Sequence, residues 1–224
     1  MKPTRKKRGQ FVIIAVLLTA IMIISIGALM HSAVTYYKHE PWEEYSTLIG
    51  DIEVNSRRLL ELSLASYTNT APLDDTILSG NLEKWQNNLT EIYPSSGIVL
   101  ESQLSAASSG SNPRVTADFT LDINAIGLKG YTFSATISLN IAIRSMYSSS
   151  LTEHEITTII KSESGNPVSG LKSGNFRLNN QTVTGVVPVF DSNDVLVYKI
   201  PYNGTLPVTV DVWDQRGIHA FVST

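Results

Sequence analysis

The side chains able to do chemistry in this chain are few and scattered. Four histidines occur, His31, His39, His154 and His219, and no cysteine. No two histidines stand at His-x-His or HExxH spacing, the patterns that bring two imidazoles to one metal. They read as surface histidines. Without cysteine there is no thiolate ligand, no thiol nucleophile and no disulfide. Asp191 to Val195, read as Asp-Ser-Asn-Asp-Val, places several oxygen-bearing side chains close together. The glycine and closing glutamate of an EF-hand are missing. Between two apolar runs this stretch predicts a hairpin turn, with weak calcium binding as the alternative. Glu43–Glu44 and Asp74–Asp75 are acidic pairs at expected helix starts, where the helix dipole favours them. No GxSxG, Walker loop or GxGxxG is present. The residues therefore predict no catalytic group, no metal and no cofactor, hence a non-enzymatic protein. An extracytoplasmic enzyme built from dispersed polar groups is the remaining alternative. Asn88, Asn180 and Asn203 each begin an Asn-x-Thr sequence and are candidate N-glycosylation sites.

Charge is distributed unevenly. The first nine residues hold five basic side chains and no acid. The remaining chain then has twelve basic against twenty acidic side chains, a formal charge of −8. An acidic body with a basic tip argues against a nucleic-acid partner, which needs clustered Lys and Arg on the folded part. A basic tip before an apolar segment instead predicts a cytoplasmic N-terminus with the bulk of the chain outside the cell.

The elements that position these groups follow from periodicity. Phe11 to Met30 is a run of twenty residues with no charge. As a helix it would span about 30 Å, the thickness of a bilayer core. A membrane helix is predicted over 10–34, with Phe11, Ile14, Leu18, Ile21, Ile24 and Met30 as anchoring positions and the lipid bilayer as partner. This run is too long for the core of a cleaved secretion signal, and His31–Ala33 is a poor cleavage site. Residues 42–67 predict an amphipathic helix restarted after Pro41, and Leu78, Leu82, Trp85, Leu89 and Ile92 line a second. Val115 to Ile123 and Phe133 to Ile143 alternate apolar and polar residues, which predicts an antiparallel hairpin with one dry face. The two helices are its natural lid.

Ser145 to Glu155 lowers the hydrophobicity and marks a predicted boundary near residue 149. Beyond it, short apolar runs are punctuated by turn signals. They predict a small sandwich that resembles the immunoglobulin-like modules of microbial surface proteins, without the Cys…Trp…Cys signature of antibody domains.

The junction Lys6–Lys7–Arg8–Gly9–Gln10–Phe11 resembles the leader of archaeal type IV pilin-like proteins, the class III signal peptides. The resemblance covers about residues 5–30. It implies that a prepilin-type peptidase cuts after Gly9, with Arg8, Gly9 and Gln10 as processing residues and Gln10 as the first mature residue. It also implies that the apolar helix is kept and packs against like subunits. The fifth mature position holds Ile14, where many type IV pilins have Glu.

The expected fold is thus α+β and membrane-anchored: a basic leader (1–9), a transmembrane helix (10–34), a helical stalk on an antiparallel sheet (35–148), and an all-β sandwich (149–224). Its expected function is that of a non-enzymatic cell-surface protein, a pilin-like subunit or minor component of a pilus-like assembly. The alternative is a plain signal-anchored surface protein whose sandwich binds glycan, S-layer or another protein.

Overall fold

A computed structural model describes residues 16–31, 42–151 and 153–224. The chain divides into two units between Leu48 and Ile49. In the first, residues 16–31 form a helix, α1. A long helix, α2 (Trp42–Asn69), crosses the division, and a second, α3 (Thr76–Ile92), follows it.

From Ile49 onward α2 buries Ile52, Ser56, Leu60, Ser63, Leu64 and Tyr67, a three-four spacing that keeps them on one stripe. α3 answers with Leu78, Leu82 and Leu89. Two buried hydroxyls stitch the pair: Trp85 Nε1 donates to Ser56 Oγ at 3.0 Å and Asn81 Nδ2 to Ser63 Oγ at 3.1 Å. Without those acceptors both donors would lose solvent unpaired. Asp74 starts α3 by accepting from the Thr76 N–H and hydroxyl, which hold its carboxyl below the usual range. The Tyr93 N–H closes the last turn on the Leu89 carbonyl, and Pro94 follows.

Among the described residues, ten strands make two antiparallel sheets. They are β1 (Ile98–Ser108), β2 (Arg114–Ile123), β3 (Leu128–Ser148), β4 (Glu153–Ser162), β5 (Phe176–Leu178), β6 (Gln181–Thr182), β7 (Val187–Phe190), β8 (Leu196–Asn203), β9 (Thr209–Trp213) and β10 (His219–Ser223). The larger sheet has the order β1-β2-β3-β4-β8-β7 and the smaller β10-β9-β5-β6. One face of the larger sheet is mostly apolar, with His154 and Thr158 of β4 as buried polar members. Val115, Ala117, Phe119, Leu121 and Ile123 of β2 are buried there, beside Ala135, Ile137, Leu139 and Ile141 of β3. Phe119 stacks on its cross-strand neighbour Phe133 at 4.8 Å. The opposite face is polar, with Thr116 and Thr136 bonded across the β2–β3 pair at 3.0 Å.

The dry face has two different covers. The helices lie over β1–β3, where Gln86 donates to Ser102 and Tyr131 donates to Glu53 at 2.6 Å. The smaller sheet covers β4 and β8. Its inward Phe176 sits 5.5 Å from Tyr198, and Tyr198 donates its buried hydroxyl to the Val168 carbonyl at 2.7 Å.

Two expectations are corrected. The first is the membrane-anchored fold with an N-terminal transmembrane helix. Among the described residues no helix is long and apolar enough to cross a membrane. The rest of the expected span, 10–15 and 32–34, lies outside the described residues. The descriptors that leaned on that helix, a single-pass membrane glycoprotein of archaeal pilin type, lose this support. The second is the stalk-and-sheet followed by a separate immunoglobulin-like sandwich. β3 is 21 residues long, pairs with β2 through its first half and with β4 through its second. The later strands therefore extend the sheet of the earlier ones, and the fold is predominantly two antiparallel sheets.

Candidate functional site

Three groups of residues stand out. In α1, every described residue is exposed. Leu18 is 58%, Ile21 51%, Ile24 70% and Met30 65% exposed, beside Val16, Leu17, Met22, Ile23, Ile26 and Leu29. Ser25 turns its hydroxyl back to the Ile21 carbonyl at 2.8 Å, leaving the surface of the helix almost wholly apolar. Burying one such side chain contributes roughly 1.5–3 kcal/mol, so ten of them together form a strong drive to find a cover. The other residues proposed for processing and anchoring, Arg8, Gly9, Gln10, Phe11 and Ile14, lie outside the described residues.

A second group lies on the outer face of the smaller sheet. Because β9 alternates, Val210 and Val212 point inward while Asp211 and Trp213 point out. Register sets Arg177 of β5 opposite Asp211, and His219 of β10 opposite Trp213. The three planar groups stack in a row. The Arg177 guanidinium lies 5.1 Å from the centre of the Trp213 ring, and His219 stacks on Trp213 at 4.4 Å. Phe221 extends the row at 5.8 Å from His219 and is 43% exposed. Beneath it the Asp211 carboxylate lies 2.8 Å from His219 Nε2. The end of α2 holds this row in place: Trp213 Nε1 donates to Asn69 Oδ1 at 2.8 Å, and the His219 N–H donates to Thr68 Oγ1 at 3.1 Å.

A third group is ionic. Arg216, in the β9–β10 turn, reaches Asp214 at 2.7 Å, Glu163 at 3.0 Å, and the Ser138 carbonyl at 3.1 Å. Arg57 of α2 takes the other Glu163 oxygen at 2.7 Å. Burial alone would raise the Glu163 carboxyl, but its own backbone N–H, Arg216 and Arg57 hold it below the ordinary range. Burial alone would lower Arg216, and its Asp214 and Glu163 partners raise it instead. This network ties α2, the end of β4 and the β9–β10 turn together.

The remaining sequence candidates disperse. His154, expected at the surface, is buried, with Nδ1 2.7 Å from Ser148 Oγ and Nε2 3.1 Å from the Gly204 carbonyl. Asp191–Val195 forms the β7–β8 turn. Asp191 Oδ1 accepts from the Asn193 and Val195 N–H groups, and Oδ2 faces Arg144 at 2.8 Å. Its carboxyl is held low first by the Val195 N–H, then by Asn193 and Arg144. Asn88, Asn180 and Asn203 are exposed, on α3, the β5–β6 turn and the end of β8 respectively. Among the described residues no three His, Asp or Glu side chains converge as a metal site.

Sequence reading missed both built groups. The Arg177–Trp213–His219 row depends on registers between strands 36 residues apart, and the Arg216 network on three separate elements. Alternation in β9 was the one local signal, since it puts a tryptophan and an aspartate on the same outward face. Compared with known protein families, curated proteins and solved structures, the chain matches none.

Proposed function

We propose that this chain is a non-enzymatic cell-surface protein, a pilin-like subunit or minor component of a type IV pilus-like assembly. The observation that carries this reading is α1. A helix whose large apolar side chains are 51–70% exposed needs a cover, and helices of the same kind supply one by ridge-and-groove packing. The basic-Gly-Gln junction upstream supplies the processing step that would release it into such a bundle, with a prepilin-type peptidase as partner. N-terminal mass spectrometry of the chain from the surface fraction of its native cells tests the reading. A mature start at Gln10, lost on Gly9→Leu, is the expected result. A start at Met1 overturns it.

One observation favours the second reading, a surface protein that binds glycan through its β-rich body. The Arg177–Trp213–His219–Phe221 row places an exposed aromatic edge next to a carboxylate, and such pairings offer both an apolar contact and a hydroxyl acceptor. Retention of the protein on cell-wall polysaccharide, abolished by Phe221→Ala, would select this reading over the first.

A further inference from the structure

β3 has different neighbours along its length. On the β2 side, strand pairing ends at Arg114 opposite Ser138. The carbonyls of Pro113 and Ser111 then accept from Leu139 and Ile141 at 3.0 and 2.9 Å. Past Ile141, among the described residues, no strand is hydrogen-bonded to β3 on that side, where the end of β10 lies across a cleft from it, although β4 pairs with it as far as Ser148 on the other. A bulge at Ile143/Ser145 opens this free stretch, and Ser145–Ser148 is regular again. A cleft of about 540 Å³ lies alongside it, lined by the apolar Ile143, Met146 and Val222 and by the polar Asn140, Ser223 and Thr224.

The other sheet edges are guarded. β7 carries Pro188, β6 is two residues long, β1 is broken by a bulge at Leu104/Ala106, and the His219 and Phe221 N–H groups on the free side of β10 are taken by Thr68 and the Gly110 carbonyl. Prolines, shortness and bulges are the ordinary ways to keep an edge from pairing. From Ala142 to Ser148 the β3 edge has no proline, and its one charge, Arg144, is held by Asp191.

We propose that this edge pairs antiparallel with the same edge of a second copy of this chain. The edge is complementary to itself. With Met146 facing Met146, Ser145 faces Tyr147 and Arg144 faces Ser148, so no charge meets its like. A charged edge would repel its own copy. The apolar walls of the cleft receive the partner's Met146 side chain, and Met146 itself is 39% exposed. A contact of one short strand pair is weak alone. It becomes effective where other contacts hold copies together and raise their local concentration. The inference therefore rests on the subunit reading and adds to it a second, sheet-edge contact.

Because the chain has no cysteine, single introduced cysteines report the contact in the full-length chain. Directly opposed residues have Cα atoms about 4.5–5.5 Å apart, within disulfide reach. Tyr147 would be displaced by two residues from its own copy, beyond the roughly 7 Å limit. Mild oxidation should give Met146→Cys dimers at least about tenfold faster than Tyr147→Cys dimers. Adding Ser145→Lys, which sets like charges along the joined edge, should remove that advantage. Ile24→Cys, tested in parallel, reports helix packing. Crosslinking through Ile24→Cys with no Met146→Cys preference overturns the edge contact and leaves the subunit reading standing. A Met146→Cys preference without any Ile24→Cys dimer keeps the edge contact and overturns the helix-borne reading. Absence of both overturns both.

Discussion

The two halves of the larger sheet bury the same kind of face in different ways. Over β1–β3 the cover is α2 and α3, which come just before those strands in the chain. The buried contact is aliphatic and aromatic, with side-chain hydrogen bonds at the helix–helix seam and, toward the strands, from Gln86 to Ser102 and from Tyr131 to Glu53. Over β4 and β8 the cover is a sheet gathered from β5, β6, β9 and β10. There the interior includes a buried tyrosine hydroxyl, a buried histidine and, at its border with α2, the Arg216 network. A cover local in sequence needs only periodicity to dock. A cover assembled from distant strands also needs directional groups that fix register, and the Tyr198 hydroxyl and the Arg216 network meet that need there.

The largest expected effect lies in the helix-covered half. Phe119→Ala removes a ring that is 1% exposed and stacked on Phe133, and should lower stability by about 3–5 kcal/mol. Tyr198→Phe, in the other half, keeps the ring and removes only the hydroxyl that bonds Val168. It should lower stability by about 1–2 kcal/mol, because the Val168 carbonyl and the Leu171 N–H lose a partner. Urea unfolding of both variants measures the contrast. Equal losses would mean that the hydroxyl, and not apolar area, governs the sheet-covered half.

The Arg216 network comes next. Arg216→Met leaves Glu163 and Asp214 with reduced compensation at side chains 15% and 3% exposed. Breaking a buried pair from one side typically lowers stability by about 3–5 kcal/mol. The Arg216 side chain is 22% exposed, so solvent screening reduces the expectation to about 2–3 kcal/mol. The pH dependence sharpens this. Glu163 is depressed in the folded state relative to its ordinary value of 4.5. Its contribution is therefore fully present above 4.5 and lost as pH falls through the lower folded value. As pH falls from 4.5 through that lower value, the native chain should lose stability more steeply than Arg216→Met. Parallel acid titrations of the two that superimpose would show that Arg216 does not hold the Glu163 proton off.

A smaller effect is expected at the seam between covers. Asn69 donates to the Ala65 and Gly217 carbonyls and accepts from Trp213. Asn69→Ala should lower stability by about 1–2 kcal/mol and broaden the environment of the Trp213 ring. Fluorescence of Trp213, read in a variant lacking the other two tryptophans, separates the local loosening from global unfolding.

Legibility in the sequence followed the same division. Alternation from Val115 to Ile143 exposed the β2–β3 hairpin because each apolar residue there answers a neighbour across one turn. The helix stripes were visible for the same reason. The later strands were each legible, yet not their membership: nothing local in Glu153–Ser162 states that it pairs with the end of β3. The drop in hydrophobicity at Ser145–Glu155 looked like a boundary. It is the far end of one continuous strand pair, polar because its tip leaves the core. The His219–Asp211 and Arg177–Trp213 contacts were out of reach, since they are products of register. Chemistry-bearing residues read singly, such as His154, were misplaced because one burial state depends on Ser148, Gly204 and Tyr202 together.

The smallest expected effect is the most informative about the uncovered face. Lys199 and Glu155 meet at 2.8 Å on the polar side of the larger sheet, with side chains 41% and 44% exposed. An exposed pair of this kind contributes about 0–1 kcal/mol, because water screens the attraction and two flexible side chains must be held still. Lys199→Met should therefore change stability by no more than about 0.5 kcal/mol, with the loss vanishing in high salt. The Met side chain keeps most of the aliphatic length of lysine, so only the charge is tested. A loss above about 1.5 kcal/mol that persists in salt would contradict the reading of this face as solvated. The two halves would then differ in a further way, since a charge pair behaving as buried requires that something cover β4 and β8 from both sides.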